Sequence, residues 1–491
     1  MERTRVAIVG TGFSGLGLAI MLSQAGIDDF VVFDRADGVG GTWRENTYPG
    51  AACDAPSHLY SFSFAPNPEW SRRFAPQAEI LAYLEDCADR FGIRPHLRLG
   101  TEVTAARFDE TAATWTIETT SGDTCEADVF VAACGQLSRP AYPDIDGLDT
   151  FEGPCFHSAR WDHSVDLTGL EVAVIGTGAS AIQFVPAIAP DVARTYVFQR
   201  SAPYVVPKPD RRYDDLHRWV YRNLPLSQTM SRLGVYAVFE LLIPGFVGHP
   251  AMLAPLRELH RRLLEAQVHD PDLREALTPH YELGCKRVLI SNDYYRTIAR
   301  DDVELVTAPI RSVGADAVVT ADGTERRVDA IVLGTGFRSN DFVAPMRVEG
   351  RGGRSLAGAW AGGAEAYLGL SVSGFPNFFL MYGPNTNLGA GSIVHMIESQ
   401  ARHVLAAVEL LERTGAAFVD VKVDAQDEFG REMQSRLDGS VWAGCASWYV
   451  DAHGRNTNNW PGLMWEYRRR TRVLDTDRYD VVTRAGDLQP A

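Results

Sequence analysis

Hydrophobic and polar positions along the chain fall into two recurring patterns. Short β-branched or aliphatic runs end in glycine turns, and apolar residues then recur at helical spacing. The first such unit is the strand at 5–9, then Gly10-Thr-Gly12-Phe13-Ser14-Gly15 and an apolar helix through about Gln24. The second is the strand at 172–175, then Gly176-Thr177-Gly178-Ala179-Ser180-Ala181, with apolar helical spacing behind it. A third run, 328–337, reads as a strand returning toward the first unit. Between them, residues 205–285 show helical spacing, charged on one face, without repeats or low-complexity tracts. Strands alternating with helices in this way predict an α/β fold built on parallel sheets.

The expected organisation is a first domain over 1–140, a linker over 141–165, a second domain over 166–325 with a helical insertion at about 205–285, and a return to the first domain over 326–491. Proline-rich sequence at 138–147 marks the linker. The strand at 5–9 leaves no room for a signal peptide ahead of the fold, which points to the cytoplasm. The most apolar remaining stretch, 233–248, contains Glu240 and Pro244 and falls short of the roughly 20 residues a spanning helix needs. It reads as a buried or lid helix, and stable membrane insertion is not expected.

Composition narrows the partners. The chain has 491 residues, 45% hydrophobic and 22% charged, enough to build cores in more than one domain. Its 47 basic and 63 acidic residues leave a net charge of −16, which disfavours nucleic acid. Seven cysteines, an odd number without a C-x-x-C pair, argue against a disulfide framework, a zinc site and a dithiol centre. The cysteines are expected to be reduced and outside the chemistry, and no His/Cys spacing supports a metal.

The two glycine turns carry the chemistry. Each sits between a strand and a helix, where glycine lets the backbone approach a pyrophosphate and the helix start offers unpaired N–H groups. The fold class is therefore read as two Rossmann-like dinucleotide-binding domains. The residue that closes the next strand of each unit separates the ligands. Asp34 holds that place 24 residues after Gly10 (34 − 10), and Arg200 holds it 24 residues after Gly176 (200 − 176). A carboxylate there accepts from ribose hydroxyls, whereas a guanidinium pairs with a 2′-phosphate and marks NADP rather than NAD. Two such sites suggest a stationary cofactor, FAD, beside a hydride donor, NADPH. Gly40-Gly41-Thr42-Trp43 fits a loop near the flavin. The segment 384–392 leads into a helix whose N-terminus either faces the flavin ring or is simply capped by Ser392.

Between the domains, Phe151-Glu-Gly153-Pro-Cys-Phe-His157-Ser-Ala-Arg-Trp161-Asp162 resembles the Baeyer–Villiger monooxygenase fingerprint at every fixed position. The resemblance runs from Val6 to the 448–460 segment. It implies FAD, NADPH and O2 as reactants and small-molecule ketones as substrates, giving an ester or lactone by way of a C4a-peroxyflavin. By the same resemblance Arg287 supplies the fixed positive charge and Asp54 holds it. Tyr60 and Val103 match FAD contacts. Thr177, Ser180 and Gln183 match residues around the NADP pyrophosphate and nicotinamide. Lys286 and Ser201 join Arg200 at the 2′-phosphate, and Trp448 matches a tryptophan near the NADP ribose. His157 is expected to couple domain movement rather than transfer protons, and Gln136 to belong to the interdomain strand set.

Three departures from the family stand out. Asp34 replaces the more frequent glutamate, Ala181 takes the third glycine position of the second turn, and the end reads Asn456-Thr-Asn-Asn-Trp460. The alternative readings are a flavin-containing N- or S-oxygenase and a non-oxygenating NADPH-dependent flavoprotein. Neither calls for an arginine–aspartate pair beside the flavin.

Overall fold

A computed structural model describes residues 2–445 and 447–483; the end of the expected return segment, 484–491, lies outside the described residues. Strand β1 (Glu2–Val9) turns through glycine into helix α1 (Phe13–Gln24) and strand β2 (Phe30–Phe33). Then come β3 (Leu97–Arg98) and the meander β4 (Val103–Asp109), β5 (Thr114–Thr119) and β6 (Thr124–Ala132). The middle of the chain supplies β7 (Cys155–His157), β8 (Glu171–Ile175), α2 (Ala181–Ile188) and β9 (Arg194–Phe198). Helices α3 (Asp215–Asn223), α4 (Pro225–Phe246) and α5 (Ala254–Gln267) form the insertion, followed by β10 (Val303–Val306) and β11 (Ala330–Leu333). Strands β12 (Arg347–Glu349) and β13 (Phe378–Leu380) precede the long helix α6 (Ile393–Thr414).

The first sheet has the order β12-β4-β5-β6-β1-β2-β3, with β13 beside the end of β6. Its β1–β2 and β1–β6 pairs are parallel, and the β4–β5–β6 meander is antiparallel. Alternation along β1 sends Val6 and Ile8 to the face covered by α1 and α6, and Ala7 to the face shared with the meander. The second sheet, β10-β9-β8-β11-β7, is parallel throughout. It too is covered on both faces, Val172 and Val174 on one side and Ala173 and Ile175 on the other. Burial on both faces is why these strands read as continuous apolar runs.

Three expectations change. The 328–337 run does not begin the return to the first domain: its strand β11 lies between β8 and β7 in the second sheet, because the apolar Ala330–Leu333 run is buried there on both faces. The return comes later, at β12 and β13. The expected linker likewise gives β7 to the second sheet. Of the buried-or-lid alternative for 233–248 the buried reading fails, since Leu233, Val238 and Leu241 of helix α4 are exposed, and its buried apolar side chains are Ile243 and Phe246 at its end. Among the described residues, no helix is long and apolar enough to cross a membrane.

Candidate functional site

Both glycine turns open onto one cavity of about 890 Å³. Gly10 has φ +110°, and a Cβ there would lie 2.5 Å from the Ala133 carbonyl oxygen at the exit of β6. Gly176 repeats this, with φ +111° and a Cβ 2.4 Å from the Gly334 oxygen at the exit of β11. The third position differs. A Cβ on Gly15 would sit 1.8 Å from the Gly10 oxygen, so only glycine fits. Ala181 is accommodated because α2 starts there, five residues past Gly176, whereas α1 starts three past Gly10 (181 − 176; 13 − 10). Neither helix start carries a side-chain cap, so N–H groups at Gly12–Ser14 and Gly178–Ser180, all lining the cavity, are left for a ligand's oxygens. The turns therefore fit two dinucleotides.

Asp34 is already engaged by the turn it follows. Its Oδ2 accepts from the Thr11 N–H at 2.7 Å and hydroxyl at 2.6 Å, and its Oδ1 from the Ala36 N–H at 2.9 Å. That occupies three of roughly four acceptor sites on a carboxylate and leaves one for a sugar hydroxyl. Gly41, Thr42, Trp43, Tyr60 and Val103 line the same end of the cavity. The Trp43 indole N–H donates to the Tyr60 hydroxyl at 3.1 Å, and Phe13 meets the Tyr60 ring edge-on at 5.1 Å.

At the other end, Arg200, Ser201 and Lys286 converge. The Lys286 ammonium donates to Ser201 Oγ at 2.8 Å. Burial, and then the Arg200 guanidinium, hold the lysine below its ordinary range. Two cations that destabilise each other form a site an anion would relieve. The Thr177 hydroxyl steadies the same loop by donating to the Ser201 carbonyl at 3.4 Å.

The Asp54–Arg287 pair lies between these ends. Arg287 Nε donates to Asp54 Oδ2 at 2.8 Å, and Nη2 donates to the same oxygen. Each side chain is 33% exposed, and that exposure is toward the cavity that both line. The Asp54 charge raises the Arg287 pKa further above its ordinary value, so the guanidinium stays protonated. Tyr449 and Tyr382 also interact with it electrostatically. Burial pushes the Tyr449 phenol up to about 12 and raises that of Tyr382, so both stay neutral.

Gln183 clasps the two domains. Its Oε1 accepts from the Tyr48 hydroxyl at 3.0 Å and the Ala52 N–H at 3.3 Å, and its Nε2 donates to the Ala52 carbonyl at 3.0 Å. Gln136 donates to the Tyr382 carbonyl at 3.3 Å and lines the cavity.

The fingerprint residues do not line the cavity. A Cβ on Gly153 would stand 2.4 Å from the Asp329 oxygen, so glycine lets β7 approach the second sheet. Phe151 packs into the core on one face of that sheet. Trp161 packs on Phe156 and Phe184, and Asp162 caps its own turn through the Ser164 N–H. His157 Nδ1 accepts from the Ala159 N–H at 3.0 Å, and its ring contacts Tyr142 and Phe337. Burial lowers its pKa to about 4, so it is neutral at physiological pH. Phe337 lines the cavity, so the motif reaches the site through its neighbour.

One of the two readings of 384–392 fails, and so does the expectation for the cysteines. Ser392 is not a cap: it precedes α6, but its hydroxyl donates to the Leu59 carbonyl at 3.1 Å. Nor are all cysteines reduced, since Cys285 and Cys445 form a disulfide. No spacing rule sees a pair 160 residues apart that only the tertiary fold brings together. Tyr382, Asn387 and Tyr48 also line the site, and no motif points to them. The Tyr382 hydroxyl donates to Asn387 Oδ1 at 2.8 Å from a backbone at φ +62°, a geometry without a sequence signal. Among the described residues no cluster could hold a metal ion.

Comparison with known proteins agrees with this geometry. Residues 7–224 match the family model described as pyridine nucleotide-disulphide oxidoreductase. The chain is 49% identical over 484 residues to a Baeyer–Villiger monooxygenase from Streptomyces coelicolor, covering 98% of this chain and 93% of that protein. It resembles the solved structure of an oxidized steroid monooxygenase bound to NADP, at TM-score 0.86 and 35% identity, over 98% of this chain and 99% of that one. The structure of OTEMO in complex with FAD and NADP matches at TM-score 0.87 and 28% identity, over 98% and 99% of the two chains.

Proposed function

The chain belongs to the Baeyer–Villiger monooxygenase family, and on that premise we propose how its own residues divide the work. It is an FAD- and NADPH-dependent monooxygenase. A ketone, O2, NADPH and a proton give an ester or lactone, NADP+ and water. Bound FAD supplies the redox chemistry, taking hydride from NADPH and passing one oxygen atom of O2 to the substrate.

FAD is held by the first turn, with Gly10, Gly12 and Gly15 cradling the pyrophosphate and Asp34 the ribose. NADPH is held by the second turn, and Arg200, Lys286 and Ser201 take its 2′-phosphate. Thr177, Ser180 and Gln183 serve its pyrophosphate and nicotinamide half, and Trp448 its ribose. Arg287 is the catalytic cation. Its charge, fixed by Asp54, faces the cavity, where it would stabilise the negative charge that grows on a substrate oxygen as the carbonyl is attacked. Working pH leaves Arg287 charged and Tyr382 and Tyr449 neutral, so charge stabilisation rather than proton transfer is the role these groups serve.

The observation that carries this reading is the Asp54–Arg287 pair facing the same cavity as both glycine turns. The test is oxygen consumption by the yellow protein with NADPH, across a ketone panel analysed by product mass. Ketone-dependent gain of one oxygen supports the reading; NADPH oxidation that yields only hydrogen peroxide with every ketone counts against it. The substrate class is set by the cavity wall at Leu388–Ala390 and Ser447–Trp448, where motif residues give way to side chains of this chain's own. The cytoplasm is the compartment we assign, with thiols held largely reduced.

A further inference from the structure

Cys285 and Cys445 are joined by a disulfide, with Cα atoms 6.1 Å apart. Its place is unusual. Cys285 is fully buried and immediately precedes Lys286 and Arg287, the cations at the phosphate end and the centre of the cavity. Cys445 is partly exposed and lies on the segment that brings Ser447 and Trp448 to the same cavity. The bond therefore ties together the two chain segments that bring Lys286 and Arg287, and Ser447 and Trp448, to one cavity. Apolar packing joins the two segments as well, with Leu283 in the same buried cluster as Val441, Trp442 and Tyr449. Trp442 and Tyr449 are buried against Tyr204, Phe246 and Leu283, and the Trp448 carbonyl accepts from Ser339 at 3.0 Å.

Of the other cysteines, Cys155 is exposed but stands on β7 in the second sheet and does not line the cavity. Cys53, Cys87 and Cys125 are buried, and burial pushes the Cys87 and Cys134 thiols up to about 11 and about 12. Such thiols are poor nucleophiles for exchange.

We propose that Cys285–Cys445 is a thiol-redox modification site that sets how tightly the enzyme holds NADP(H). The proposal rests on the dinucleotide assignment made for the second turn. The reactant is a dithiol reductant. Its thiolate attacks Sγ of Cys445, the accessible partner, forming a mixed disulfide as Cys285 leaves as a thiolate and takes a proton. The second thiol of the reductant then attacks its own sulfur in the mixed disulfide and releases Cys445, which is protonated in turn. Two electrons and two protons enter the pair, and the reductant leaves as a disulfide. A disulfide oxidant reverses the sequence. With the bond intact, Ser447 and Trp448 stay in register with Lys286. With it open, NADP+ must order them on binding, and part of its binding energy is spent on that. A reducing cytoplasm keeps the pair open, and oxidation tightens the hold.

The test uses the holoenzyme. Alkylation after unfolding, read by intact mass, should give five labels on disulfide-oxidised enzyme, matching the five free cysteines, and seven after dithiothreitol. Titration should show NADP+ bound about fivefold more weakly by reduced enzyme and by Cys445→Ser, the weight of ordering one or two side chains. Hydrogen exchange at Ser447 and Trp448 should quicken in both, with FAD content unchanged. Comparing oxidised and reduced wild type keeps the test valid should Cys445→Ser fold poorly. Seven labels after oxidant treatment, or equal NADP+ affinity in the two wild-type states, would overturn the proposal. NADP+ binding to neither state is a different result: it would remove the dinucleotide assignment, and the proposal with it.

Discussion

On the proposed assignment Arg200 and Lys286 share one 2′-phosphate between an exposed cation and a partly buried one, and that division has measurable consequences. A hydrogen bond to a charged group is worth roughly 1.5–3 kcal/mol. Arg200 is exposed, where solvent and salt screen it, so Arg200→Ala belongs at the low end: about 1.5 kcal/mol, or roughly tenfold in the NADPH KM. Lys286 is fixed by Ser201 at 2.8 Å and lies deeper, so Lys286→Ala should cost about 2 kcal/mol, or roughly 30-fold. NADH lacks the phosphate, and its constants should stay near wild type in both variants. The pH dependence has a definite sign. Lys286 binds phosphate as the ammonium, so kcat/KM for NADPH falls as pH rises through its depressed pKa. Arg200 is one of the two causes of that depression, so Arg200→Ala should move the fall to higher pH. The assay is steady-state kinetics with both cofactors for wild type, each single variant and the double, at low and physiological salt. Equal losses with NADPH and NADH would refute the assignment. So would a double variant no weaker than Lys286→Ala alone.

The other predictions are simpler. Arg287→Ala should keep flavin reduction by NADPH, read by loss of yellow colour, yet form no ester; near-normal ester yield would end its catalytic assignment. Gly15→Ala, whose Cβ would stand 1.8 Å from the Gly10 oxygen, should yield protein without FAD, whereas Ala181→Gly should keep both cofactors. Protein purified yellow from Gly15→Ala would show the turn to be more forgiving than its geometry. Burial depresses His58, His157 and His403 to about 4 and His395 to about 3. Unfolded histidine takes a proton near pH 6.5, so stability present above about 6.5 is lost as pH falls toward about 4. Thermal melting should drop steeply across that window, and a flat profile would mean these rings are already protonated in the fold.

The parts of the site that could be read from sequence are those fixed by local backbone chemistry. Gly10 and Gly176 stand where φ is positive and a neighbouring strand leaves no space, and such positions reveal themselves as glycine between an apolar run and a helix. Asp34 and Arg200 come at equal spacing because both units build the same strand–helix–strand rise. Asp54 and Arg287 had no local signal. They are 233 residues apart and meet only when the domains dock, so resemblance alone pointed to them. The strand at 330–333 shows the complementary limit. Its composition announced a buried strand but not which sheet would bury it, since both sheets accept a short apolar run. Cys285 and Cys445 failed for the same reason as Asp54 and Arg287 would have: contact across the fold leaves no mark in spacing.

One loop concentrates these long-range contacts. Residues 48–54 give Tyr48 and Ala52 to the Gln183 clasp and Asp54 to Arg287. Between them Gly50, at φ +80°, lies so close to α2 that a Cβ would stand 2.7 Å from the Gln183 carbonyl oxygen. Docking of α2 and fixing of the Arg287 charge are therefore one event. Were the second domain to lift from this loop, Gln183 would lose its partners and Arg287 its carboxylate together. An arginine without Asp54 keeps its proton but not its direction, and charge stabilisation depends on direction far more than on charge alone. Arg287 is thus held by Asp54 only in the arrangement that also presents the second turn to the first. On the proposed roles, that arrangement would link hydride delivery to oxygen transfer without a separate moving part.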